Sequence, residues 1–219
     1  MANQSLGLEE RQTDKYQIKG PARFFYLRER LSSENLTIPT AAQIFSILYG
    51  DKKISNEYQY NNPTPLWLNN SFVYSSKGIY VEDNPEESEG QILADEKSLE
   101  ARLGSKEQEK VIYSEDNTIR FTPFGFKIGS LTAEELAKNT CAIALMGKAN
   151  TEKLSEALGR ESINPFLFTL DYSNIQASQG RTHKRIVLLN YSPRNAFFID
   201  GADRTGNGKA YYLPISKDF

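Results

Sequence analysis

The densest run of ligand-type residues lies near the C-terminus: Ile199-Asp200-Gly201-Ala202-Asp203-Arg204-Thr205-Gly206-Asn207-Gly208-Lys209. Three chemistries can be tried on it. A calcium loop needs oxygen ligands at alternating positions, and Asp203, Thr205 and Asn207 supply them ahead of Gly208. Pro214 then stands where the bidentate glutamate belongs, and strand-forming residues follow where a helix should. A phosphate cradle would run from Gly201 to Lys209, but it is one residue too long, with no hydroxyl after the lysine and no helix behind it. A nuclease-type magnesium site would set Asp200 against Asn207-x-Lys209, where an amide replaces the second acid. The residues fit a long β-hairpin loop best, because Asp, Asn and Gly tolerate turn geometry. Asp200, Asp203 and Asn207 stay as candidate Mg²⁺ or Ca²⁺ ligands, and no other cofactor is expected.

Gly180-Arg181-Thr182-His183-Lys184-Arg185 holds the sole histidine and the densest basic cluster. Arginines can grip phosphates with two parallel hydrogen bonds, so Arg181, His183, Lys184 and Arg185 form a candidate nucleic-acid or ligand contact. Arg204 and Lys209 join it if the following strands form a meander. A single histidine excludes a His-pair metal site. Ser/His/Asp chemistry would have to use His183, without a nucleophile-elbow motif. Cys141 sits in the apolar run Thr140–Met146 and reads as a buried thiol in a core segment. Tyr58, Tyr60, Trp67, Tyr74 and Tyr80 could form a recognition surface or stack bases, although hairpin and core packing explains them as well.

The elements that must carry these groups have their own signals. Phe24, Leu27 and Leu31 recur at helical spacing behind Pro21. Thr40-Ala-Ala-Gln43 is a capping box ahead of Ile44, Ile47 and Leu48, and Thr132-Ala-Glu-Glu135 is another. Phe72–Ser75 and Ile79–Glu82 flank a short glycine-containing link, and Lys110–Ser114 faces Thr118–Thr122 across a second turn, so two hairpins are predicted. The acidic stretch 82–116 is predicted to hold a helix capped by Ser88 and Gln91, facing inward with Ile92, Leu99 and Leu103, and stopped by Gly104. A short helix is predicted from Asn150 or Thr151 to Gly159. Strand-like runs follow at Phe166–Leu170, Ile186–Asn190, Ala196–Ile199 and Ala210–Ile215.

The expected fold is therefore α+β: an antiparallel sheet built largely from the C-terminal third and the two hairpins, with several short helices packed on it. Residues 1–20 read as a flexible N-terminal arm and 21–219 as a single domain, with a possible helical subdomain over 21–65. With 26 basic against 28 acidic residues, no global field draws the chain to nucleic acid or an anionic membrane. One cysteine, no signal-like leader and no apolar run of membrane-spanning length point to a soluble cytoplasmic protein. No complete catalytic motif is present. The expected function is a non-enzymatic binding or assembly subunit with a protein partner. The first alternative is a nucleic-acid-binding subunit using the 181–185 basic loop, and the second is a metal-dependent hydrolase or nuclease.

Overall fold

The computed structural model describes residues 11–12, 17–50, 65–88, 91–170, 183–192, 196–202 and 208–214. In chain order its strands are β1 (Arg11–Gln12), β2 (Gln17–Ala22), β3 (Leu36–Thr37), β4 (Leu66–Tyr74), β5 (Gly78–Asp83), β6 (Glu87–Ser88), β7 (Gln91–Ile92), β8 (Leu103–Gln108), β9 (Val111–Ser114), β10 (Ile119–Pro123), β11 (Gly129–Ser130), β12 (Asn164–Phe168), β13 (His183–Ser192), β14 (Ala196–Ala202) and β15 (Gly208–Pro214). The helices are α1 (Phe24–Ser33), α2 (Ala41–Gly50), α3 (Glu96–Glu100), α4 (Ala133–Ala137), α5 (Thr140–Met146) and α6 (Lys148–Arg160).

Helices and strands mix as an α+β chain should, but the sheet departs from expectation in two ways. Its main path runs β11-β12-β14-β13-β4-β5-β10-β9-β8. Most neighbours are antiparallel, yet β12 and β14 are parallel, so the sheet is mixed. Only three of these nine strands, β12 to β14, come from the last third, and β4 and β5 stand between the two wings. The anticipated C-terminal meander stops at β14. Both edges of that strand are taken, by β13 and β12, so β15 pairs instead with β2, β3 and, at one position, β4.

Side-chain alternation sorts the core, because successive strand residues point to opposite faces. On one face, Leu66, Leu68, Phe72 and Tyr74 of β4, Ile79 and Val81 of β5, and Val187 and Leu189 of β13 pack under α2, α4, α5 and α6. On the other, Trp67, Ile186 and Leu188 meet Phe24, Leu27 and Leu31 of α1. Val73, Tyr80 and Ile119 meet Leu99 of α3 there. Helices α1 and α2 thus lie on opposite faces and share no core of their own.

Local signals hold where the chain carries its own hydrogen-bond partners. Thr40 N–H donates to Gln43 Oε1 at 2.9 Å and Gln43 N–H to Thr40 Oγ1 at 3.4 Å. The Thr132–Glu135 box closes in the same way. The acidic stretch is read differently by the fold. Ser88 and Gln91 face each other in the β6–β7 pair, and the helix starts later, at a capping box of Asp95 with Ser98. Leu103 and Gly104 open a strand. The segment Thr140–Met146 is a helix, buried from Cys141 to Met146, whose N-cap, Asn139, accepts from Cys141 and Ala142 N–H. Gly147, at φ +81°, turns the chain from α5 into α6, which is 13 residues long and starts two residues before the predicted Asn150. The described parts of the N-terminal arm are strands β1 and β2. Among the described residues, no helix is long and apolar enough to cross a membrane.

Candidate functional site

The parallel β12–β14 pair forms a wing whose one side packs into the helical core. Its register sets Phe166 beside Phe198 and Phe168 beside Asp200. Leu167, Phe197 and Ile199 point into the helical core. The alternate residues Phe166, Phe168 and Phe198 therefore stand on the opposite face. Their ring centroids lie 5.4–5.5 Å apart, two of the three pairs stacked within 18°. Phe168 is 44% exposed and the other two are half-buried.

Polar groups rim this aromatic triad. Asn190 pairs with Phe198 across β13–β14, and its Oδ1 is buried without a hydrogen-bond partner among the described residues. Asp200, half-buried, has its carboxyl raised above the usual aspartate range by burial, with Arg185 pulling the other way. The wing is anchored from below. Tyr74 is buried in the helical core and its hydroxyl lies 2.6 Å from Thr169 Oγ1, fixing the chain just past Phe168. Gly201 lets β14 lie close, since a Cβ there would stand 2.9 Å from Tyr74 Oη and 3.0 Å from Phe72 Cδ2.

Arg181, Asp203, Arg204 and Asn207 are outside the described residues, as are Tyr58 and Tyr60. His183, Lys184 and Arg185 open β13 opposite Tyr74, Val73 and Phe72. Alternation sends Lys184 to one face and His183 and Arg185 to the other. Lys184 Nζ donates to Ile92 O at 2.9 Å. Lys209 aligns with Leu66 at the start of β4. Strands β14 and β15, on either side of the undescribed residues 203–207, do not pair with each other. Asp200 stays with the aromatic wing. Among the described residues, no group of three His, Cys, Asp or Glu side chains comes together to hold a metal.

Cys141 is buried, and burial pushes its thiol up to about 12, which leaves no thiolate for chemistry at neutral pH. Trp67, Tyr74 and Tyr80 are core residues. Trp67 Nε1–H donates to Ala22 O at 3.2 Å, and burial raises both tyrosine hydroxyls. Sequence reasoning missed the phenylalanine triad. Its signal was the period-2 pattern Phe166-Leu167-Phe168, which puts phenylalanines on both sides of an inward leucine. Comparison with known proteins finds no family model, no curated protein and no solved structure that this chain matches.

Proposed function

We propose that the protein is a non-enzymatic binding or assembly subunit that docks a partner protein on the outer face of β12 and β14. The observation that carries this reading is the triad Phe166, Phe168 and Phe198, stacked together and part-exposed on a sheet face whose other side is packed. An apolar patch rimmed by polar groups is where partners bind, and aromatic anchors dominate such contacts. Covering the three rings removes on the order of 100–200 Å² of apolar surface, about 2.5–5 kcal/mol at roughly 25 cal/mol per Å². Asp200, half-buried beside the rings, then asks the partner for a cation next to its apolar residue.

The test places a photo-cross-linking phenylalanine analogue at position 168 of the full chain and identifies the cross-linked protein. That protein is then purified and titrated with wild type and Phe168→Asp. Saturable binding should weaken about 30-fold or more in the variant, the loss of a hot spot worth about 2 kcal/mol or more. Equal affinity for both, with unchanged circular dichroism, overturns the reading.

A further inference from the structure

On the helical side of the sheet, away from the phenylalanine triad, a cleft of about 390 Å³ opens between the β10–β11 connection and the entry to α5. Its volume falls in the range of roughly 300–1,000 Å³ that small-ligand sites occupy. Phe124 and Phe126 line it with rings 6.2 Å apart. Lys110 from the β8–β9 turn, Lys127 from the connection and Lys138 at the end of α4 all border it.

The walls are tied in place before any ligand arrives. Asn139, buried, caps α5 with its Oδ1 while its Nδ2 donates to Lys127 O at 2.8 Å. Thr140 Oγ1 lies 2.7 Å from Thr122 Oγ1, joining the helix entry to β10. Glu135 holds Lys127 Nζ at 2.7 and 2.8 Å and also accepts from Thr132 N–H. Three lysines against Glu135 leave the lining with an excess of two positive charges. Lys138 is met by Glu134 at 2.6 Å, both highly exposed, and such a surface pair is worth only about 0–1 kcal/mol. Lys110 has no carboxylate within salt-bridge reach among the described residues.

We propose that this cleft binds a nucleotide, with its phosphate at Lys110 and Lys138 and its base against Phe124 and Phe126. Lysines alone would suit any anion. The paired phenylalanines add apolar surface that inorganic phosphate leaves wet and that a flat aromatic group covers, since base-on-aromatic contact tolerates any base. The proposal does not depend on the partner-docking face.

Calorimetric titration of the full chain with AMP tests it, with adenosine, inorganic phosphate and a short oligoadenylate as separate arms. AMP should bind saturably, and adenosine and phosphate each about tenfold or more weakly, because each lacks one half of the contact. Lys110→Glu and Lys138→Glu, both at exposed positions, should each weaken AMP by about tenfold or more through loss of a charge-assisted contact, with unchanged thermal melting. Phe168→Asp should leave AMP binding as it is. No saturable AMP binding overturns the proposal, as does AMP affinity that both lysine variants preserve. Phosphate binding as tight as AMP would reduce the cleft to a general anion site. Oligoadenylate binding without AMP binding would make it a strand contact. Either result also overturns it.

Discussion

Strands β4 and β14 flank β13 on its two sides, yet they meet their surroundings differently. Every residue of β4 is buried, and its sequence Leu66-Trp-Leu-Asn-Asn-Ser-Phe-Val-Tyr74 carries bulky apolar groups on both faces. That is what a strand covered on two sides requires. Along β14 buried and half-buried residues alternate, Phe197 and Ile199 inward, Phe198 and Asp200 outward. The centre is therefore built for stability and the wing has a face to spare. What marks that face is its content: strands with one solvated face ordinarily alternate apolar with polar, and here Phe198, with Phe166 and Phe168 of β12, stands among the outward positions.

The contrast can be broken most forcefully at the polar heart of the centre. Asp83 accepts two hydrogen bonds from the Arg120 guanidinium, one at 2.8 Å, and another from Asn70 Nδ2. Asn70 Oδ1 in turn accepts from Ala41 N–H at 2.6 Å, tying the network to the first turn of α2. Removing one member of such a buried pair strands its partner, so Arg120→Ala should cost about 3–5 kcal/mol in denaturant unfolding. A loss below 1 kcal/mol would mean that water reaches Asp83 and that the centre is less closed than its burial implies.

Phenylalanine truncation compares the two regions with the chemistry held fixed. Phe72 is fully buried in the helical core, and Phe72→Ala should cost about 3–5 kcal/mol. Phe168→Ala, on the open wing, should cost less than about 1 kcal/mol while removing partner binding. Similar losses at both positions in chemical denaturation would show that the wing's outer face is part of the folded core.

How much of this was legible in the sequence follows from the same distinction. The capping boxes at Thr40 and Thr132 and the hairpins at Ser76–Gly78 and Glu115–Asn117 are local, since each brings its own partners within a few residues, and they form as read. Sheet order is not local. That β12 would lie parallel to β14, and β15 against β2, depends on which edges remain open after the rest has paired. The Ser88–Gln91 motif shows the limit of pattern: its spacing suits a cap, but the two residues pair across strands and Asp95 starts the helix. The candidate site was hidden for a similar reason. Phe166 and Phe168 show the alternation, but it takes the placement of helices α2, α4, α5 and α6 on the opposite side to leave these rings part-exposed.

Carboxylates provide the finest comparison, because each region holds one whose ionisation burial opposes. Glu82, in the centre, accepts from Ser71 Oγ at 3.3 Å and has Arg102 at 3.9 Å, yet burial dominates and raises its carboxyl above the ordinary 4.5. Asp200, on the wing, is raised above 3.8 for the same cause. A raised acid is favoured by folding in its protonated form. Stability is thus highest below the ordinary value and falls as pH rises through the folded one. Glu82→Gln cannot ionise, so it should match wild type below pH 4.5 and be the more stable of the two at neutral pH. Asp200→Asn should behave alike with a smaller gain, since its carboxyl keeps more water. Melting temperatures measured across that range settle it. A Glu82→Gln advantage that shrinks as pH rises would show that Arg102 and Lys184 outweigh burial, and that the centre tolerates charge as the wing does.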